Sequence, residues 1–142
     1  MKRKRVIVDT GPIVAFLNIN DNYHDWAKTQ FTLVYPPLIS CESVVSEACF
    51  LLRNYTNGAR NVLELLQREL IILPFDLQGE SSSIRKLLEK YRNVPMSLAD
   101  ACLVRLSEQI SGSTVCTLDS DFRIYRRNTR NIIPLIIPEE RE

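Results

Sequence analysis

The stretch VIVDTGPIVAFLN, residues 6–18, indicates how this chain folds. It begins with three β-branched apolar residues, a pattern that is typical of a short strand covered on both faces. Asp9 follows directly, and Gly11 and Pro12 then open an apolar segment with the proline at a position that the first helical turn tolerates. The stretch therefore predicts a buried strand that leads into a helix. On local grounds alone, Asp9 is a helix cap or a turn residue.

The composition is ordinary for a soluble globular protein. The chain has 142 residues, 45% of them hydrophobic and 25% charged, which predicts one domain over residues 1–142. Lys and Arg number 18 against 17 Asp and Glu, so the net charge of +1 argues against a histone-like partner but allows a local basic groove. No apolar run approaches the roughly 20 residues that span a bilayer, and we expect no membrane contact. The four cysteines show no metal-ligand spacing, which fits a reducing cytoplasm.

Short apolar segments alternate with helical patterns along the chain. Strands separated by helices imply right-handed β-α-β units. We therefore predict an α/β fold, a three-layer α/β/α sandwich around a central, mostly parallel sheet. Pro134 lacks a backbone N–H and places the last strand at a sheet edge. The predicted strands cover residues 5–8, 38–40, 70–73, 113–118 and 131–137, and the predicted helices cover residues 11–18, 23–33, 42–55, 59–69, 82–91 and 98–109, with a helical turn at 122–126.

Acidic side chains follow two of the predicted strands. Asp9 ends the first strand, and Asp119 and Asp121 follow the fourth. Ligands of open parallel sheets bind beyond the carboxyl ends of the strands, where these acids are expected to lie. The alternative for Asp119 and Asp121 is a turn and a helix cap.

Two further acids lie on predicted helices. Glu47 belongs to an apolar stripe with Val44, Ala48, Leu51 and Tyr55, so we expect its carboxylate to face the protein. A buried carboxylate needs a base, a proton or a metal as its partner.

Asp100 has a competing structural interpretation. Ser97 and Asp100 form an S-x-x-D pattern, which is typical of a capping box. Leu103 and Val104, three and four residues further on, place the same side of the helix against the core. The carboxylate is therefore also in a position to meet a metal at the helix end.

Taken together, these acids predict a metal site. Carboxylates that cluster in a low dielectric repel one another unless a hard cation holds them. Mg²⁺ or Mn²⁺ fits, because both prefer oxygen ligands and bind phosphate oxygens.

Four motifs resemble those of PIN-domain ribonucleases, most closely the VapC-type toxins of toxin–antitoxin pairs. They are VIVDTGPIVAFLN, SVVSEACFLL, MSLADACLV and TLDSDF, in the order that the family shows. The resemblance implies that Asp9, Glu47, Asp100 and Asp119 are the catalytic, metal-binding acids. It also implies that Asp121 is an auxiliary metal ligand, that the hydroxyls of Thr10 and Thr117 support the ligands, and that Phe122 packs behind them.

The activity that this resemblance implies is metal-dependent hydrolysis of RNA phosphodiester bonds. A hydroxide on Mg²⁺ or Mn²⁺ would be the nucleophile, so no Ser, Cys or His nucleophile is required. The family also implies a cognate antitoxin, as a separate small chain, and a homodimer. Helices 23–33 and 59–69 carry more apolar positions than they need to cover a small sheet, and this also favours a homodimer.

Close to Asp119, the arginines Arg123, Arg126, Arg127 and Arg130 form either a solvated face or a phosphate-binding surface.

Other function classes share some of these features. A phosphoacceptor receiver domain needs paired acids after the first strand and a lysine after a later one, and neither is present here. A haloacid-dehalogenase-type phosphatase needs a second Asp where Gly11 stands. A non-catalytic RNA-binding relative of the PIN family stays open, although the complete acidic quartet counts against it.

Overall fold

The strands of the computed structural model, which describes residues 4–139, are short. The first strand is a fully buried three-residue segment, as the run of β-branched residues predicts. The strands are β1 (Val6–Val8), β2 (Leu38–Ile39), β3 (Ile71–Ile72), β4 (Thr114–Cys116), β5 (Arg126–Arg127), β6 (Asn131–Ile132) and β7 (Leu135–Ile136).

Five of these strands form one parallel sheet in the order β3-β2-β1-β4-β7. The central pair is β1 and β4, in which Val8 is aligned with Cys116. The chain adds β2 and β3 on one side of β1 and then crosses to add β4 on the other side. The strand order therefore reverses between β1 and β4, and this is the point at which open α/β sheets bind ligands.

Within residues 4–139, six helices and one short 3-10 helix connect the strands. By their contacts, α1 packs on α2, α3 and α4, while α5 packs on α6, which also contacts β1 and β4. The helices are α1 (Thr10–Leu17), α2 (His24–Leu33), α3 (Glu42–Leu51), α4 (Gly58–Gln67), α5 (Ser81–Lys90) and α6 (Leu98–Gln109), and the 3-10 helix covers Ser120–Arg123.

The apolar core explains why the central strands are continuous hydrophobic runs. Ile7, Val8 and Val115 have no measurable exposure, and the inward face of α6 is equally buried. Strands with helices on both faces have no solvent-facing side and hence no alternation of polar residues. The predicted α/β class with a mostly parallel central sheet is confirmed.

Three predicted elements differ from the structure by more than two residues at an end: the strand 131–137, the helix 42–55 and the helical turn 122–126. In place of the turn, the structure has the 3-10 helix Ser120–Arg123, and Arg126 begins β5, a strand that was not predicted. The predicted strand 131–137 is two strands: β6 pairs antiparallel with β5 in a separate hairpin, and β7 is an edge strand of the main sheet. The break lies at Ile133, which is buried, and at Pro134, whose carbonyl accepts a hydrogen bond from the N–H of Val115 at 2.9 Å. The predicted edge position of this segment is correct for β7.

Helix α3 ends at Leu51, four residues before the predicted end. The chain then turns through Asn57, which adopts a left-handed conformation with φ of 60°, into Gly58. A Cβ on Gly58 would overlap the carbonyl oxygen of Leu52, so only glycine allows this tight passage from α3 to α4.

The basic start of the chain is described only in part. Lys4 and Arg5 are exposed, while Lys2 and Arg3 lie outside the described residues. Within residues 4–139, no helix has both the length and the apolar character needed to cross a bilayer.

Candidate functional site

Asp9 lies at the carboxyl end of β1 and is the N-cap of α1. Its Oδ1 accepts a hydrogen bond from the N–H of Thr10 at 2.7 Å, and its Oδ2 accepts one from the hydroxyl of Thr117 at 2.8 Å. The side chain is only 7% exposed. Burial, together with the charges of Asp100 and Asp119, raises the pKa of Asp9 to about 6, although the two hydrogen bonds lower it.

Thr117 connects the ends of the two central strands. Its hydroxyl donates to Asp9 and accepts from the backbone N–H of Asp119 at 2.9 Å. A buried hydroxyl that both donates and accepts fixes the positions of both partners. The two strand-end acids therefore lie at the same edge of the sheet, as the strand pattern predicts.

Asp119 and Asp121 form the turn that follows β4. Oδ1 of Asp119 accepts a hydrogen bond from the N–H of Asp121 at 2.9 Å, so Asp119 caps the 3-10 helix. Both acids are half-buried, and Phe122 beside them is fully buried. The cap that the local pattern predicts is thus present, but it occupies only one oxygen of Asp119.

Asp100 lies in the first turn of α6 and is 8% exposed. The backbone half of the predicted capping box is present, since Ser97 Oγ accepts from the N–H of Asp100 at 3.0 Å. The carboxylate itself accepts a hydrogen bond from the hydroxyl of Tyr125 at 2.9 Å. Burial raises the pKa of Asp100, the Tyr125 hydrogen bond opposes this, and the Asp119 charge adds to it.

Glu47 differs from its prediction. Val44, Ala48 and Leu52 are buried, so the buried stripe of α3 advances in steps of four residues. Glu47 and Leu51 each lie one residue before a member of this stripe and are exposed, as is Tyr55 beyond the end of the helix. The inward, buried position predicted for Glu47 is therefore wrong. Its Oε2 nevertheless accepts a hydrogen bond from the Thr10 hydroxyl at 2.9 Å, which holds the carboxylate beside the N-terminus of α1.

The acids of the candidate site influence one another electrostatically. The charges of Asp100 and Asp119 raise the pKa of Asp9, and the charge of Asp119 also raises the pKa of Asp100. The charge of Asp121 contributes to the raised pKa of the Tyr125 hydroxyl. Within residues 4–139, none of these carboxylates forms a salt bridge.

The donor set suits a hard cation, because it consists of carboxylate oxygens with hydroxyl supports. Between residues 4 and 139, however, no three Asp, Glu, His or Cys side chains stand together as a ready-made group of metal ligands. The carboxylates are close enough to repel one another, but their oxygens do not converge on one point that could hold an ion. The ligand type therefore suits a divalent cation. Binding one would require the carboxylate side chains to move closer together.

The arginines after Asp121 have different environments. Arg123 is exposed at the end of the 3-10 helix. Arg126 donates to the carbonyl of Arg123 at 2.7 Å and so closes the same turn. Arg127 donates to the carbonyl of Ser113 at 2.8 Å, which ties β5 to the start of β4. Arg127 is thus already engaged inside the fold.

Sequence reasoning missed Tyr125. Its buried ring packs edge-on against Tyr91 and Phe122, with centroid distances of 5.1 and 5.2 Å. A single tyrosine between an isoleucine and two arginines carries no periodic signal. Only the fold brings it to Asp100, which is 25 residues away in the chain.

No protein-family model matches the chain, and no curated protein matches it in sequence. Its structure is similar to that of VapC20 from Mycobacterium tuberculosis, which is described as a Sarcin-Ricin loop cleaving toxin. The TM-score is 0.72 over 82% of this chain and 91% of that chain, with 19% sequence identity. The chain therefore has the fold of a VapC toxin, and the resemblance drawn from the four motifs is confirmed at the level of the fold.

Proposed function

We propose that the chain, as a single domain over residues 1–142, is a metal-dependent ribonuclease that hydrolyses RNA phosphodiester bonds as the toxin of a toxin–antitoxin pair. The observation that carries this proposal is the set of mutually repelling, cation-free carboxylates of Asp9, Asp100 and Asp119. They lie at the carboxyl ends of β1 and β4, where the strand order reverses, and in the first turn of α6. A structural cap needs no such concentration of charge.

In this proposal Asp9, Glu47, Asp100 and Asp119 hold a Mg²⁺ or Mn²⁺ ion, with Asp121 as an auxiliary ligand. When bound, the ion supplies Lewis acidity, which makes water more acidic and offsets charge on the phosphate. The hydroxyls of this chain orient the carboxylates. Thr117 holds Asp9, Thr10 holds Glu47 and Tyr125 holds Asp100.

The structure gives no support to the receiver-like alternative. A receiver sheet has the order 2-1-3-4-5, with its phosphoacceptor after a central strand, whereas this sheet places β1 between β2 and β4. The non-catalytic RNA-binding alternative has the same fold as the enzyme and differs only in chemistry. A direct assay of RNA cleavage separates the two.

We propose RNA as the substrate, a cognate antitoxin and a second copy of the chain as protein partners, and a cytoplasmic location. Exposed leucines on α2 and α4 support a protein partner, since Leu33 is 74% and Leu63 is 49% exposed. The likeness to a cleaving toxin supports the toxin role.

The test is an RNA cleavage assay on the purified full chain with Mg²⁺, with Mn²⁺ and with EDTA. We expect cleavage with either metal, none in EDTA, and none in Asp9→Asn. Asp25→Asn, which changes an exposed acid on α2, is the matched control and should cleave like the parent. RNA binding without cleavage under every metal condition would instead support the non-catalytic alternative.

A further inference from the structure

A group of exposed cations lies on two segments that are far apart in sequence. One segment is α5, and the other runs from the 3-10 helix through the β5–β6 hairpin. All of these side chains are exposed except that of Arg126, which is half-buried. We call this group the α5–hairpin surface, and its members are Arg85, Lys86, Lys90, Arg123, Arg126 and Arg130.

Two hydrogen bonds join the segments into one surface. Lys90 Nζ donates to the carbonyl of Thr129 in the hairpin turn at 3.0 Å, and the N–H of Arg126 donates to the Tyr91 hydroxyl at 2.9 Å. Lys86 lies one helical turn before Lys90 and therefore on the same face of α5.

The cations of this surface are not held in ion pairs by acids of the described residues. In the part of the chain that the structure describes, no member of the α5–hairpin surface forms a salt bridge. The nearby acid Glu89 is paired with Arg92 at 2.7 Å. Because the whole chain has a net charge of only +1, this positive charge is a local concentration. Such a concentration is the footprint of a protein that binds a polyanion.

The surface begins at the candidate site. Arg123 and Asp121 belong to the same four-residue 3-10 helix, and Tyr125, which precedes Arg126, donates to Asp100. A cluster of carboxylates repels a phosphate backbone, so an enzyme that cleaves there needs cations beside the cluster to hold the polyanion.

We propose that the phosphate backbone of RNA binds along the α5–hairpin surface and reaches the carboxylates at its Arg123 end. This inference rests on the proposed ribonuclease function and assigns the surface that holds its substrate. Contacts to phosphates carry no sequence information, so the surface should bind RNAs of different sequence equally.

The test measures binding in EDTA, where no cleavage takes place, with two short fluorescein-labelled single-stranded RNAs of different sequence. Fluorescence anisotropy gives the Kd over a series of salt concentrations for the parent and for the triple variant Lys86→Gln, Arg123→Gln, Arg130→Gln. The side chains of these three residues make no hydrogen bond or salt bridge to described residues, so the variant should fold normally, and equal thermal melts would verify this. We expect the Kd to rise on the order of tenfold for both RNAs, and the slope of log K against log salt to fall by roughly 0.7 per lost contact.

The matched control is the double variant Lys28→Gln, Arg60→Gln, which removes exposed cations from α2 and α4. It should bind within about twofold of the parent. The inference is overturned if the triple variant keeps the parent's Kd and salt slope, if the control weakens binding equally, or if the parent binds neither RNA. Failure of the proposed function has a different signature, because the parent would then bind RNA through this surface but would not cleave it with Mg²⁺ or Mn²⁺.

Discussion

The hydroxyl of Tyr125 donates a hydrogen bond of 2.9 Å to Oδ2 of Asp100 and so fixes one oxygen of a buried carboxylate. The ring of Tyr125 is itself held between Tyr91 and Phe122. The orientation of Asp100 therefore depends on an aromatic cluster formed by Tyr91, directly after α5, and by the segment after β4. In the proposed metal site, Tyr125 would therefore influence metal affinity through Asp100 without touching the metal.

Replacement of Tyr125 by Phe keeps the packing and removes the hydrogen bond. We expect the free energy of unfolding to fall by about 1–2 kcal/mol, because Asp100 loses a buried donor. We also expect metal affinity to fall on the order of tenfold. Urea unfolding in EDTA measures the first effect, and the stabilisation by added Mn²⁺ measures the second.

Tyr91→Phe is the control for this variant, since it removes a hydroxyl from the same cluster that binds only the backbone of Arg126. It should lose some stability but keep the metal response of the parent. An unchanged response to Mn²⁺ in Tyr125→Phe would show that the hydrogen bond has only a structural role.

The burial of Asp9 predicts a pH dependence of stability for the metal-free protein. Burial raises the pKa of Asp9 to about 6 from an ordinary value of 3.8, so between these values the folded chain keeps a proton that the unfolded chain releases. The contribution of Asp9 to the free energy of unfolding is therefore greatest below about pH 4 and falls by about 3 kcal/mol in total as the pH rises through 6.

The comparison of the parent with Asp9→Asn isolates this contribution from that of the other acids. In EDTA, the unfolding free energy of the variant relative to the parent should increase by about 3 kcal/mol between pH 4 and pH 7. A difference that stays constant over this range would mean that Asp9 titrates normally in the folded state.

The sequence predicts the centre of this structure better than its periphery. β1 and β4 are identifiable because strands buried on both faces are continuous apolar runs, and the acids after them must then share one edge of the sheet. The prediction for Glu47 was wrong because the buried stripe of α3 runs through Val44, Ala48 and Leu52. Glu47 immediately precedes Ala48 and is therefore turned about 100° around the helix from it, toward solvent.

Features that depend on long-range contacts could not be predicted from local patterns. The bond from Tyr125 to Asp100 requires the 3-10 helix to turn the chain back onto α6, and the use of Arg127 to bind the Ser113 carbonyl requires the β5–β6 hairpin. In both cases the sequence shows which residue is present, but only the fold determines which group it contacts.

Arg105 is predicted to stabilise the packing of α5 on α6. Its guanidinium contacts Glu80 at 2.7 Å and Glu108 at 3.2 Å, and all three side chains are at most 30% exposed. Arg105→Gln should lower the free energy of unfolding by about 1–2 kcal/mol, because two partly buried carboxylates lose their cation. Urea unfolding at pH 7 measures this loss.

A matched exposed pair tests whether burial is the cause. Arg92 contacts Glu89 at a similar distance of 2.7 Å, but these side chains are 64% and 75% exposed. Arg92→Gln should change stability by less than about 0.5 kcal/mol. Equal losses in the two variants would contradict the proposed effect of burial.

Thr117 is predicted to link the two strand-end acids, because its fully buried hydroxyl donates to Asp9 and accepts from the N–H of Asp119. Thr117→Val keeps the shape and removes both bonds, so we expect a loss of about 2–3 kcal/mol in unfolding free energy at pH 7. The hydrogen bond from Thr117 lowers the pKa of Asp9, so its removal should also move the pH window described above to higher pH. Thr117→Ser retains the hydroxyl and should leave the window in place, with only the smaller loss expected for a deleted buried methyl group. If the valine variant lost stability without moving the window, Thr117 would support the fold alone, and the alignment of Asp9 with Asp119 would have to come from the paired backbones of β1 and β4.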